Sequence, residues 1–139
     1  MKTPFFAFLC ILAAPVLSAA DVEVIVDGVD EVKGKLLIGF YDNEKDFRVK
    51  ELKESPSFQV TAAGRIIAVA KGLKPGIYAV AVIWDQNENG VLDVTGPFKV
   101  PTEPYGFSRN PKNKLGPPKF KDCIFVVTET GGTLHVVLK

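Results

Sequence analysis

Residues 77–84 read IYAVAVIW, and residues 85–93, which follow directly, read DQNENGVLD. The first segment is apolar on both faces, which is typical of a central strand that is covered by two layers. Small Ala79 and Ala81 occupy one face, while the other face carries larger side chains, namely Tyr78, Val80, Val82 and Trp84. The second segment is rich in Asp, Asn and Gly, which favour turns. The sequence therefore predicts one central strand that runs into a polar loop.

Short apolar segments that alternate with Gly- and Pro-containing turns lie on both sides of this strand. The further predicted strands span residues 21–28, 34–42, 58–63, 65–71, 120–129 and 133–139. We expect the first two to form a hairpin, and the last two to form a terminal hairpin joined at Gly131 and Gly132. Residues 43–57 are charged and have one helical turn at most, around Phe47. About seven short strands and no long helical period predict an all-β fold, an antiparallel β-sandwich of the transthyretin-like or immunoglobulin-like kind, with a small barrel as the alternative.

The first 20 residues have the order of a secretory signal peptide. Lys2 is followed by an apolar run, PFFAFLCILAAPVL, and by small residues at 18–20, which suit a cleavage site before Asp21. The run is too short to cross a bilayer, which takes about 20 apolar residues. The sequence predicts a signal peptide at 1–20 and a single domain at 21–139 in the periplasm or the medium, with no transmembrane segment in the mature chain.

Charge and cysteine content limit the function classes. The sequence contains 17 Lys and Arg against 16 Asp and Glu, and Lys2 is lost with the signal peptide. The mature net charge is therefore near zero, which argues against nucleic acid as a partner. Cys123 is the one cysteine left, and a lone thiol in an oxidising compartment is expected to be buried as a small hydrophobe.

The polar loop after the central strand has the spacing of half a calcium loop. Asp85, Asn87, Asn89 and Asp93 stand at positions 1, 3, 5 and 9, Gly90 stands at position 6, and the carbonyl of Val91 follows. Position 12 is Gly96 instead of a bidentate Glu, so a Ca²⁺ site here would be weak, in the millimolar class. The same residues also form hydrogen-bonded turns without any metal, and this alternative stays open.

The stretch after the loop holds the candidate ligand-binding residues. Residues 97–104 (PFKVPTEP) are predicted to be extended, and Tyr105 and Phe107 flank a glycine in a compact turn. Glu103 is the single acid among several cations and is expected to pair with Arg109. Packing of the two aromatic rings on the sandwich is one interpretation; stacking on a sugar or peptide is the other. The basic residues of 99–121 are either a solvated loop or a surface for an anionic polymer or lipid.

Catalytic groupings are not found in the sequence. The one histidine, His135, is out of phase with Leu134, Val136 and Leu138 and is expected to point outward. There is no Ser/His/Asp set, no Cys/His pair and no zinc spacing. Paired carboxylates remain the one arrangement that would suit an enzyme, so an uncharacterised enzyme is an alternative.

Several motifs together resemble the domain of unknown function 2141 family, whose members are uncharacterised secreted bacterial proteins. The matching segments are GIYA (76–79), DQNENG (85–90) with Asp93, PTEPYGFS (101–108), and GPP (116–118) with Phe120. The likeness covers nearly the whole mature chain. It implies an exported β-sandwich without an assigned activity. A looser likeness to transthyretin-like sandwiches does not carry over their hydrolase activity, because this chain ends HVVLK and has one histidine.

These observations favour an exported, non-enzymatic β-sandwich that acts as a binding or structural accessory protein, with calcium as a weak cofactor of the Asp85–Asp93 loop. The alternative is a protein that binds a small ligand, a carbohydrate or an anionic polymer through residues 99–121. Its candidate binding residues are Glu103, Tyr105, Phe107 and Arg109.

Overall fold

The structure, a computed structural model, describes residues 18–47, 51–52, 55–112 and 115–139. This part of the chain forms ten strands and a short 3₁₀ helix at Phe120–Cys123. In chain order the strands are β1 (Ala20–Val29), β2 (Lys35–Tyr41), β3 (Ser57–Gln59), β4 (Gly64–Leu73), β5 (Gly76–Asp85), β6 (Val94–Thr95), β7 (Val100–Pro101), β8 (Tyr105–Phe107), β9 (Ile124–Val127) and β10 (Gly132–Val137). Most of the signal peptide predicted at 1–20 lies outside the described residues, as does part of the turn predicted after Phe47.

Two sheets face each other and enclose the core. One has the strand order β10-β1-β4, the other has the order β3-β2-β5-β8 with β9 also paired to β5, and β6 and β7 form a separate ribbon. Among the pairs that the described residues form, β1 and β10 are parallel and the others are antiparallel. The predicted all-β sandwich is confirmed, with one parallel pair added to it.

The core between the sheets follows the alternation in the sequence. Val22, Val24 and Val26 of β1 are fully buried against Val80 and Val82 of β5. Trp84 belongs to the same cluster and is 1% exposed. Its indole N–H donates to the carbonyl of Lys33 at 2.8 Å, so the polar atom of this large side chain is satisfied inside the core.

The opposite face of β5 is also covered, as expected for a central strand. Ala79, Ala81 and Ile83 lie in a second cluster with Phe47 and Cys123, on the far side of the sheet from the core. Cys123 is fully buried, as the sequence predicts. The small side chains on this face leave room for loops to approach the sheet, and these loops build the site described below.

The predicted first hairpin is wrong. β1 pairs with β4 and β10, whereas β2 pairs with β3 and β5, so the turn at 30–34 crosses from one sheet to the other. β3 and β4, which lie on either side of Gly64 in the sequence, are likewise in different sheets. The reason is that alternation identifies the buried face of a strand, and it does not identify the neighbour with which that strand pairs.

The predicted terminal hairpin is also wrong. β9 pairs with β5 and β10 pairs with β1, while a single bridge joins Thr128 to Gly131. The strand expected to start at Phe120 begins at Ile124, because residues 120–123 form the 3₁₀ helix. The side chain of Asp122 accepts a hydrogen bond from the N–H of Lys119 at 3.3 Å at the start of this helix.

Candidate functional site

The loop after β5 is closed by the buried carboxylate of Asp85. This residue is 0% exposed. Its Oδ1 accepts a hydrogen bond from the N–H of Asn89 at 3.1 Å, and its Oδ2 accepts one from the N–H of Gly90 at 2.8 Å. Charge-assisted bonds of this kind are the stronger ones in proteins, and they satisfy a charge that would be costly to bury alone. Asp85 therefore fixes the curvature of the loop.

The other predicted metal ligands converge on Asp93. The side-chain N–H groups of Asn87 and Asn89 donate to its carboxylate at 2.5 Å and 2.9 Å. The amide oxygens of the same two residues accept N–H bonds from Asn89 and Val91 within the loop. The structure thus brings the side chains of Asn87, Asn89 and Asp93 together, with the carboxylate oxygens engaged by N–H donors, whereas Val91 bonds to Asn89 through its N–H. No cluster of three or more His, Cys, Asp or Glu suited to a metal occurs in the described residues.

The turn at residues 30–34 packs against this loop. Gly34 has φ +63°, and a Cβ added to it would lie 2.6 Å from the Cα of Gln86 and closer still to the carbonyl oxygen of Asp85. The side-chain amide of Gln59 donates to the Gly34 carbonyl at 3.0 Å and to the carboxylate of Glu88 at 2.9 Å. The loop is therefore packed against the 30–34 turn with no space for a side chain between them.

Glu103 joins the loop to the segment that follows it. Its side chain is buried, with 7% of the residue exposed. The N–H of Gln86 donates to Oε1 at 2.9 Å, and the N–H of Asp93 donates to Oε2 at 3.1 Å. The predicted pairing with Arg109 is wrong: that residue is exposed, and the ion pairs among the described residues do not include it. The sequence places Glu103 among several cations, but in the structure its carboxylate accepts hydrogen bonds from backbone N–H groups and forms no ion pair with Arg109.

Residues 94–101 form a projecting ribbon, which we call the flap. β6 and β7 pair at its base, and a turn at 96–99 forms its tip, where the N–H of Lys99 donates to the Gly96 carbonyl at 3.2 Å. Phe98 at the tip is 89% exposed. Below the flap, the N–H of Thr102 donates to the Asp93 carbonyl at 2.8 Å. Glu103 and this bond together anchor the flap to the end of β5.

A cleft lies between the flap and the outer face of the β2-β5-β8 sheet. Its volume is about 950 Å³. Ala81, Ile83, Tyr105 and Phe107 contribute from the sheet, and the opposite sides are formed by residues of three loops, including Leu52, Leu92, Phe98, Lys99 and Pro117. Tyr41 also lines it, and burial raises the pKa of its hydroxyl group.

Two of the four predicted ligand-binding residues line the cleft, and the other two do not. Tyr105 and Phe107 are half-buried, line the cleft, and contact each other edge to face with ring centroids 5.8 Å apart. Glu103 and Arg109 are not among its lining residues within the described part of the chain. Phe98 and Leu92 line it but were not singled out from the sequence. An exposed Phe between turn residues, as in GPFKVP, is the signal that would have pointed to the flap.

Ser108 is a buried polar residue that sequence reasoning also missed. Its hydroxyl oxygen accepts from the N–H of Val80 at 2.9 Å, and the hydroxyl donates to the carbonyl of Cys123. The backbone N–H of Ser108 donates to the Val80 carbonyl at 2.9 Å. Ser108 therefore ties the end of β8 to β5 and to the 3₁₀ helix, and this holds Phe107 in the cleft wall.

A charged group lies on the outer face of the other sheet. Arg65 and His135 both bond the carboxylate of Asp27, at 2.9 Å and 2.5 Å. Two hydrogen bonds hold the pKa of Asp27 well below its usual range, and the bond from Arg65 has a larger effect than the bond from His135. His135 points outward, as the sequence predicts. This group belongs to the three-stranded sheet and does not line the cleft.

Comparisons with known proteins identify a family but no individual relative. A family model described as "Uncharacterized protein conserved in bacteria (DUF2141)" matches residues 24–135. The comparisons with curated proteins and with solved structures found no match. None of the helices in the described part of the chain has the length and apolar character needed to span a membrane.

Proposed function

The chain belongs to the DUF2141 family of bacterial proteins. We propose that it is an exported, non-enzymatic binding module whose ligand lies in the cleft. The cleft carries the proposal: its volume of about 950 Å³ is in the range of small-molecule sites. Aromatic and aliphatic side chains form most of its walls, which favours an apolar ligand or the apolar part of one. Phe98 at the flap tip is placed to cover such a ligand.

The buried carboxylates support a binding role rather than a chemical one. Both oxygens of Asp85 and both oxygens of Glu103 accept backbone N–H bonds. A carboxylate that is occupied in this way holds the flap in position, and it is poorly placed to exchange protons with a substrate. Export is supported by the N-terminal segment. Cleavage before Asp21 would leave β1, which begins at Ala20, almost whole.

We expect the purified protein to bind the neutral apolar dye Nile red with a saturable rise in fluorescence. Phe98→Ser should weaken this binding about tenfold, because the loss of one ring contact is worth about 1.4 kcal/mol. The substitution should leave the melting temperature unchanged, since Phe98 is almost fully exposed. The measurement is a fluorescence titration of wild type and variant at equal protein concentration.

Ile67→Ser is the matched control, because Ile67 is an exposed apolar residue on the three-stranded sheet, away from the cleft. Equal binding by the wild type and both variants would place the dye elsewhere and contradict the proposal. The alternative, an anionic polymer bound by residues 99–121, predicts a different pattern. Heparin binding would then fall steeply with salt and would be insensitive to Phe98→Ser.

Calcium binding by the Asp85–Asp93 loop stays a prediction. A melting experiment distinguishes a loop with bound calcium from a loop that is held by hydrogen bonds alone. A site with a Kd of about 1 mM would add about 1.4 kcal/mol of stability in 10 mM Ca²⁺, or several degrees in melting temperature. A loop in which the N–H donors to Asp85 and Asp93 take the place of a metal would instead change by less than about 1 °C relative to EDTA. A rise of several degrees that Mg²⁺ does not reproduce and Asp93→Asn abolishes would instead establish the metal site.

A further inference from the structure

Beyond the proposed function, on which this inference rests, the charges around the cleft indicate the class of its ligand. Residues 94–121 contain one acid, Glu103, and it is buried and bonded to two backbone N–H groups. The described cations of the same segment are exposed, namely Lys99, Arg109, Lys112, Lys119 and Lys121. The exposed charges of this segment are therefore positive although the whole chain is nearly neutral, and Lys99 is the one of these cations that lines the cleft.

Lys99 is the cation in direct contact with the cleft. It follows Phe98 in the flap tip and is a lining residue, so a negative group beside the ligand's apolar part is within its reach. Its φ of +51° belongs to the tight turn that points the tip of the flap outward. Glu51 is the one acid among the described lining residues, and Lys112 and Lys119 lie in the loop that supplies Pro117.

Two exposed apolar side chains belong to the same segment, one lining the cleft and one next to lining residues in the sequence. Phe98 is 89% exposed, and Leu115, next to the lining residues Gly116 and Pro117, is 95% exposed. Apolar side chains that stand free beside a cleft and between lysines form an amphipathic border. Such a border suits a ligand that has both an apolar chain and a charged head.

We propose that the cleft binds a single-chain amphiphile with a negatively charged head group. The apolar chain lies over Ala81, Tyr105 and Phe107, and the head group lies at the rim beside Lys99. A free fatty-acid anion and an anionic lipid in a bilayer share this chemistry. The cleft is concave and lies between the flap and the sheet, which suits a molecule taken up from solution, so we commit to the free amphiphile as the source.

The test is displacement of Nile red from the purified protein by decanoate and by 1-decanol, which have the same chain length and differ in the charge of the head. We expect decanoate to displace the dye at about tenfold lower concentration than decanol, and the difference to shrink in 0.5 M NaCl because salt screens the rim. Lys99→Gln should reduce the advantage of decanoate over decanol about three- to fivefold, with both compounds measured against Nile red on the same variant. Lys71→Gln, an exposed lysine on β4, is the matched control and should have no effect.

The two proposals fail in distinguishable ways. Equal displacement by decanoate and decanol in the wild type would overturn the anionic head group and leave the apolar site intact. Absence of Nile red binding would overturn the proposed function itself. Sedimentation with vesicles separates the two sources: binding to phosphatidylglycerol but not phosphatidylcholine vesicles, reduced in Lys99→Gln, would overturn the free amphiphile in favour of a bilayer lipid.

Discussion

Replacing Trp84 with alanine is expected to lower the free energy of unfolding by about 3–5 kcal/mol. Trp84 is the largest fully buried side chain of the described residues, and it lies in the cluster that both sheets share. Truncation leaves a cavity between the sheets and also leaves the Lys33 carbonyl without its indole partner. For a domain of this size the loss is a large part of the total stability. Urea unfolding followed by circular dichroism measures it.

Trp84→Phe separates the two contributions to this loss. The phenyl ring fills most of the volume but has no N–H, so we expect a smaller loss of about 1–2 kcal/mol. Ile77→Ala is the control on the same strand, since Ile77 is exposed and its truncation should cost less than about 0.5 kcal/mol. If the losses for Trp84→Ala and Ile77→Ala were similar, Trp84 would not be the centre of the core.

Replacing Glu103 with alanine is expected to cost about 3 kcal/mol and to weaken Nile red binding at the same time. Its carboxylate accepts the N–H groups of Gln86 and Asp93, and their burial without a partner costs about 1–3 kcal/mol each. These bonds also fix the base of the flap. The variant should therefore lose the orientation of Phe98 over the cleft, although Phe98 is intact. Unfolding and dye titration on the same samples test both effects.

Glu103→Gln is the informative comparison. The amide keeps one oxygen acceptor and offers an N–H₂ group where the second backbone N–H needs an acceptor, so one of the two bonds is lost. We expect about half the loss in stability and an intermediate dye affinity. A direct contact between the Glu103 side chain and the ligand would give a different result, in which Glu103→Gln loses binding at unchanged stability.

Most strand positions and their buried faces were predictable from the sequence. Val22, Val24 and Val26 alternate with Glu23, Ile25 and Asp27 and do face the core. Ala79 and Ala81 lie on the opposite face of β5 from Val80. Alternation suffices here because the side-chain period of a strand is two, whatever its partners are. The outward position of His135 follows from the same argument, whereas the burial of Cys123 was expected because a lone thiol in an oxidising compartment behaves as a small hydrophobe.

The candidate site was predictable as a segment but not as a cavity. The sequence places Asp85, Asn87, Asn89 and Asp93 in one polar loop, and in the structure the side chains of Asn87 and Asn89 bond to Asp93. The role of Glu103 was not predictable, because its partners are backbone N–H groups that become available where β5 ends. Sequence letters do not show which backbone groups are left without a partner.

The sequence by itself determined the all-β class, the central position of β5, the polar loop after it and the membership of the chain in its family. It did so because periodicity, turn residues and family motifs are local properties of the chain. The tertiary structure decided which strands are neighbours, and it brought the flap, Leu52 and Pro117 around one cleft. These contacts join residues that are distant in sequence. Their geometry depends on the free energy of the whole folded domain, so it cannot be predicted from any single segment.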